Sequence, residues 1–278
     1  MNDSGRNSQL CPNCRRLIST DEPRCPYCGL RAPGSRWKNN PLTRGLSGDQ
    51  LIRAIIYANI AMYVFSLIIQ PRAMGLTMNP FRLLAPTDLR ALGATGTWLG
   101  NILPHWWTLI SASYLHGSVL HIFFNLFALY QLGPLVTQLY GSHRFLAIYT
   151  LSGAAGFLIS YFANIYMTIG ASASLCGLIG AALYYGKDRG GTFGQAIFRQ
   201  VGGWAVGILL FGFLVPGINN WAHGGGIPAG ALLALMLGYN EKRREDLFHR
   251  VLSGACLLIT VLVLLWSIMM GFRYLLRV

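Results

Sequence analysis

Two apolar stretches of this chain each carry one polar side chain suited to acyl transfer. The first reads Gly170-Ala171-Ser172-Ala173 and continues into a run of small and aliphatic residues. The second reads Ala222-His223-Gly224-Gly225-Gly226 and continues in the same way. Polar groups are expensive at membrane depth, so those retained there tend to serve function. A serine hydroxyl is a weak nucleophile until a neighbouring base takes its proton, and an imidazole can be that base. Ser172 falls in the first turn of its helix, where backbone N–H groups have no intrahelical partner and the dipole favours negative charge. A third apolar stretch holds His116, His121 and Asn125. His121 and Asn125 are four apart and share one helix face. Together they could donate hydrogen bonds to a developing oxyanion. Each residue also has a bland alternative. The serine could cap a helix or bond a nearby carbonyl, and the His–Asn pair could clamp two helices. His116 lies more than a turn before His121, and a structural role is expected for it.

Small residues decide whether the serine and histidine can meet. Gly226 and Gly230 follow His223 at i+3 and i+7, and Cys176, Gly177 and Gly180 follow Ser172. Small faces let helix backbones approach closely in lipid. Packing alone would explain the glycines but not the histidine. Other membrane chemistries lack their groups. Aspartyl catalysis needs two carboxylates, and no Asp or Glu lies between Asp88 and Asp188. The H-E-x-x-H zinc motif is absent, and three histidines without a carboxylate are a poor metal set. A coupled transporter would show repeats or a carboxylate for its ion, and the sequence has neither.

The elements that must hold these residues are membrane helices. Of 278 residues, 53% are hydrophobic and only 11% charged, against about 25% charged in a soluble domain. Between Arg90 and Lys187 the single charged residue is Arg144. Seven apolar runs come near the ~20 residues that cross a hydrocarbon core: 52–69, 106–132, 145–166, 171–185, 198–215, 221–239 and 251–274. The connector 70–105 is long and apolar, and is expected to lie partly in the membrane interface.

The net charge of +13 reads as membrane orientation rather than nucleic-acid binding. Eight Lys or Arg precede Leu51, which places the N-terminus in the cytoplasm. Arg144, the loop Lys187-Asp188-Arg189 and the loop Lys242-Arg243-Arg244 then lie on the same side, and the C-terminus lies outside. Ser172 and His223 fall at the outer ends of helices running inward. The first residues are polar and carry no secretory signal, which points to a prokaryotic plasma membrane.

The polar N-terminus carries a separate signal. Cys11-Pro12-Asn13-Cys14 and Cys25-Pro26-Tyr27-Cys28 are two C-x-x-C knuckles. In a reducing cytosol such clusters favour metal over disulfides. Four thiolates suit a closed tetrahedral zinc site with a structural, non-catalytic role. The expected organisation is a zinc-ribbon module at 1–35, a linker at 36–50, a membrane core at 51–240, and a loop with an extra C-terminal transmembrane helix at 241–278. A protein is the expected partner of the ribbon, ahead of nucleic acid.

Taken together, Trp106-Trp107 leading to His116-Gly117-Ser118-Val119-Leu120-His121 and Asn125, then Gly170-Ala171-Ser172, then Ala222-His223-Gly224-Gly225-Gly226 with Gly230, resemble the rhomboid intramembrane serine proteases. The resemblance covers about 52–239. It implies an all-α polytopic fold, with a six-helix rhomboid core and here a seventh helix. It implies Ser172 as nucleophile, His223 as general base, and His121, Asn125 and the Ser172 backbone N–H as oxyanion donors. It implies transmembrane protein substrates within the lipid bilayer and no cofactor for catalysis. Four positions depart from the family pattern. Ala173 stands where glycine usually follows the serine, and its methyl is expected to narrow the room for substrate or backbone. Thr108 stands where a Trp-Arg pair is common in the first loop, and Thr137 where a Glu often follows the Gly-Pro at Gly133-Pro134. Cys176 stands where some members stack a tyrosine on the histidine. The alternative reading is a weak or inactive rhomboid-fold protein that binds membrane clients.

Overall fold

The computed structural model describes residues 8–11, 16–27, 29–30, 32–34, 47–69, 83–86, 88–215 and 217–276. They fall into two compact units, Met1–Gln50 and Leu51–Val278. In the first, β1 (Ser8–Leu10) pairs antiparallel with β2 (Leu17–Ser19), Gln9 opposite Ile18. The Cys11 N–H donates to the Arg16 carbonyl (2.8 Å) and closes one turn. The Cys25 N–H donates to the Leu30 carbonyl, and the Cys25 carbonyl accepts from the Gly29 N–H, both at 2.8 Å, closing a second turn. Cys11, Ile18 and Cys25 are buried together beside Leu30. A sheet of two strands is marginal by itself in water.

The second unit is helical. Its long helices are α1 (Gly48–Ile68), α2 (Val119–Tyr140), α3 (Ser142–Phe162), α4 (Ser172–Arg189), α5 (Gly191–Leu214), α6 (Asn220–Leu237) and α7 (Leu247–Leu275). Six of the seven expected runs match a helix to within several residues. The run 106–132 does not. Residues 103–114 form short helical turns, Leu115 is extended, and α2 starts only after Ser118, whose side chain accepts from the His121 N–H. The apolar residues on both sides of His116-Gly117-Ser118 conceal that break from a hydropathy reading. Of the connector expected at the interface, 70–82 and 87 lie outside the described residues, as does 36–46 of the expected linker.

Among the described residues, five helices, α1, α2, α3, α5 and α7, are long and apolar enough to cross a membrane. The other two, α4 and α6, have 18 residues each and carry Ser172 and His223. Their composition is diluted by Gly, Ser, Asn and His. α4 tolerates this because neighbouring helices cover it: ten consecutive residues, Ala173 to Ala182, are buried, whereas α6 keeps Leu232, Leu235 and Met236 exposed. The most extensive helix contact is between α4 and α6, and α3 packs against both.

Glycine makes that contact close. A Cβ on Gly230 of α6 would land on the Gly177 backbone of α4. One on Gly180 would land on the Ile227 carbonyl, and one on Gly226 on the Ala173 carbonyl. Backbone therefore meets backbone along three turns of the pair.

The far end of the bundle is stitched by Arg144, which is fully buried. Its guanidinium donates to the Tyr140 carbonyl (3.0 Å), Asn240 Oδ1 (3.1 Å) and the Arg243 carbonyl (2.6 Å). Glu245 accepts from the His143 and Arg144 N–H groups at 2.8 and 3.0 Å, which caps the start of α3. The loop after α6 is thus fastened to the α2–α3 turn.

Gly230→Val should separate α4 from α6 and lower stability by about 3 kcal/mol. Gly203→Val is the control, because a Cβ there meets nothing within 4 Å. Thermal unfolding of both variants in detergent checks this: the first midpoint should fall and the second should stay at the parent value.

Candidate active site

The segment ahead of Ser172 is held on two sides. Thr95 and Thr168 exchange backbone hydrogen bonds at 3.2 and 2.7 Å. The Thr97 and Trp98 N–H groups donate to the carbonyls of Ile165 (3.0 Å) and Tyr166 (3.2 Å). The Thr108 hydroxyl donates to Thr95 Oγ1 (3.0 Å), and both residues are buried. Thr108, which departs from the family pattern, therefore serves as a tie within this brace. The Ser111 hydroxyl donates to the Gly93 carbonyl at 2.8 Å. From α7, the Ser267 hydroxyl donates to the Leu92 carbonyl at 2.6 Å. The Gly170 N–H donates to the Ala112 carbonyl at 2.8 Å.

Gly170 has to be glycine for two reasons. Its φ is +110°, a region that side chains rarely adopt. A Cβ there would also sit 2.5 Å from His121 Nε2. The His121 imidazole thus lies against the backbone two residues before Ser172. Its Nδ1 accepts from the Gly117 N–H at 3.3 Å, which leaves Nε2 to carry the hydrogen in the neutral ring. Asn125, one turn on, is buried. Its Nδ2 donates one hydrogen to the His121 carbonyl at 2.8 Å, and its second N–H remains for another acceptor. Asn125 Oδ1 has no partner among the described residues. His116 is fully buried, with its ring edge-on to His121 at 4.9 Å.

His223 Nε2 lies 2.9 Å from Ser172 Oγ. His223 is buried and Ser172 is partly exposed, so the pair opens on the serine side. His223 Nδ1 is buried without a partner among the described residues. The geometry is that of a nucleophile with its base and no orienting acid. His223 sits in the first turn of α6, which Asn219 caps: its Oδ1 accepts from the N–H groups of Trp221 (3.0 Å) and Ala222 (3.2 Å). An Asn directly before a helix is a readable capping signal, and the sequence reading missed it.

Of the two expectations for Ala173, less room for substrate or less for backbone, the surroundings of its methyl favour the second. Its methyl is fully buried with Ala112, Phe157 and Ala222. It points at α3, where a Cβ on Gly156 would lie 3.2 Å from it. The absent side chain of Gly156 makes room for the added methyl. Cys176 is buried one turn below Ser172, against Gly226. In the N-terminal unit, Cys11 and Cys25 share one small core. Cys14 and Cys28 lie outside the described residues.

Comparison with known proteins places this sequence in a family. Residues 103–240 match the Rhomboid domain. The rhomboid protease GluP of Bacillus subtilis (strain 168) is 35% identical over 158 residues, 57% of this chain and 31% of GluP. YdcA of the same strain, a rhomboid by name, is 30% identical over 152 residues, 54% of this chain and 76% of YdcA. The rhomboid protease AarA of Providencia stuartii is 24% identical over 251 residues, 80% of this chain and 84% of AarA. The chain spans about a third of the length of GluP and most of YdcA and AarA. The matched region contains His121, Asn125, Ser172 and His223. With its several helices apolar enough to span a bilayer, the chain belongs to the rhomboid family of multi-pass integral membrane proteins.

Proposed function

We propose that the chain is an intramembrane serine endopeptidase that cleaves transmembrane-helix substrates with a Ser172–His223 dyad. The observation that carries this reading is the 2.9 Å approach of His223 Nε2 to Ser172 Oγ, made by two helices whose backbones touch through glycine. In this mechanism Ser172 Oγ attacks the scissile carbonyl carbon while His223 Nε2 takes its proton. The carbonyl oxygen becomes an oxyanion beside the Ser172 backbone N–H, His121 Nε2–H and the second N–H of Asn125. Collapse of the tetrahedral intermediate expels the amine, which receives the proton from His223. Water then attacks the acyl-serine ester, with His223 again taking a proton. The acid product leaves and Ser172 is restored. Packing of α6 orients His223 in place of a third group.

Loop charges put the N-terminus in the cytoplasm and the C-terminus outside, so cleavage takes place near the outer face. A prokaryotic plasma membrane fits the bacterial sources of GluP and AarA. Cys11, Cys14, Cys25 and Cys28 would hold a structural zinc ion, whose contribution is to close the fold of a module too small for a core of its own. A protein partner for this ribbon completes the proposal. Ala173 was the support for an inactive, client-binding rhomboid, and its methyl is packed against α3.

Ser172→Ala or His223→Ala should lower cleavage of a reconstituted transmembrane substrate more than about 1,000-fold, with folding retained by circular dichroism. Residual cleavage near the parent rate in Ser172→Ala would sink the reading. His121→Ala should cost about 100-fold in kcat. Gly170→Ala should cost a comparable factor, because its methyl displaces the His121 ring. Elemental analysis of the purified full chain should give about one zinc per chain, lost in Cys11→Ser.

A further inference from the structure

We propose that Asn219 and Ser160 are positioning residues for the base: together they fix the first turn of α6 and so aim the His223 ring at Ser172. This rests on the protease reading above. No partner orients His223 from behind, since Nδ1 is buried and unpaired among the described residues. Whatever holds the ring acts through the backbone of the turn that carries it.

Asn219 holds that turn in three ways. Its side-chain oxygen accepts from the N–H groups of Trp221 and Ala222, the two residues before His223. Its backbone carbonyl accepts from the His223 N–H at 3.3 Å. Its side-chain nitrogen donates to the hydroxyl of Ser160. The first two bonds are those of any helix cap. The third is not, because it fastens the cap to another helix.

Ser160 is fully buried near the end of α3. Its carbonyl accepts from the Ile165 N–H at 3.1 Å, at the start of the loop that runs to Ser172. One residue of α3 therefore anchors both approaches, the base helix through its hydroxyl and the nucleophile loop through its carbonyl. One turn earlier, Gly156 lets the same helix lie against both halves of the site. A Cβ there would sit 2.6 Å from the Ala222 carbonyl and 3.2 Å from the Ala173 methyl. The serine and histidine are thus registered against a common helix rather than only against each other. In catalytic triads a carboxylate on the second imidazole nitrogen does this work.

The test uses the full-length chain in detergent or liposomes. Three variants are compared: Asn219→Ala, Asn219→Asp and Ser160→Ala. Each is assayed for kcat and KM on a transmembrane substrate, for the rate of fluorophosphonate labelling, and for its melting temperature. Misplacing a base by about an ångström can cost on the order of 100-fold. Asn219→Ala should lose at least about tenfold in kcat and labelling rate, with KM within about twofold, when assayed well below its melting temperature. Asn219→Asp should recover most of the loss, because a carboxylate accepts the same N–H bonds and can accept the Ser160 hydroxyl. Ser160→Ala leaves the cap intact and should lose several-fold in kcat alone. Parent labelling rates in Asn219→Ala would overturn the proposal. So would a loss that only follows the folded fraction and is not recovered by Asp. If Asn219→Ala does not fold, an unchanged kcat in Ser160→Ala overturns it instead. A parent chain that neither cleaves nor labels would instead bring down the protease reading, and this proposal with it.

Discussion

Gly230 of α6 lies against the backbone of Gly177 in α4 with no side chain between them. Helices ordinarily pack with axes about 8–10 Å apart, set by the side chains at the contact. Removing those side chains allows a closer approach, and the serine–histidine distance depends on it. Ser172 and His223 stand on separate helices, so their 2.9 Å separation is set by how those helices pack. Gly177, Gly180, Gly226 and Gly230 fix that packing. The same closeness helps explain why α4 need not be strongly apolar, because its neighbours bury most of it.

Around this contact the molecule is braced at both ends. On the Ser172 side, Thr95 and Thr168 join two loops, Thr108 locks Thr95, and Ser267 of α7 reaches the carbonyl of Leu92. At the opposite end, Arg144 and Glu245 fasten the loop after α6 to the turn before α3. The guanidinium is buried, so its hydrogen bonds to two carbonyls and an amide oxygen offset a large desolvation cost. The helix α7, added behind the core, thus contacts a segment that leads toward the nucleophile.

Much of this was legible in the sequence. A serine and a histidine in apolar runs, each followed by glycines at helical spacing, announce two helices that meet. His121 and Asn125 are readable by their four-residue interval. Other features were hidden because they depend on pairs distant in the chain. Nothing local indicates that Thr108 meets Thr95, or that Glu245 caps a helix a hundred residues earlier. The start of α2 was misread because apolar residues flank the break at Gly117. The side on which the Ala173 methyl lies is hidden from the sequence because its room is made by Gly156, which is on another helix. Of the four N-terminal cysteines, Cys11 and Cys25 share a buried cluster with Ile18.

The central claim is that Ser172 is a nucleophile activated by His223 in the folded, membrane-embedded chain. Fluorophosphonate labelling of the purified protein, with the adduct mapped by mass spectrometry, tests it most directly. One adduct at Ser172 is predicted in the parent chain, with none in His223→Ala. An unlabelled parent chain, an adduct on another serine, or equal labelling of Ser172 in His223→Ala would contradict it.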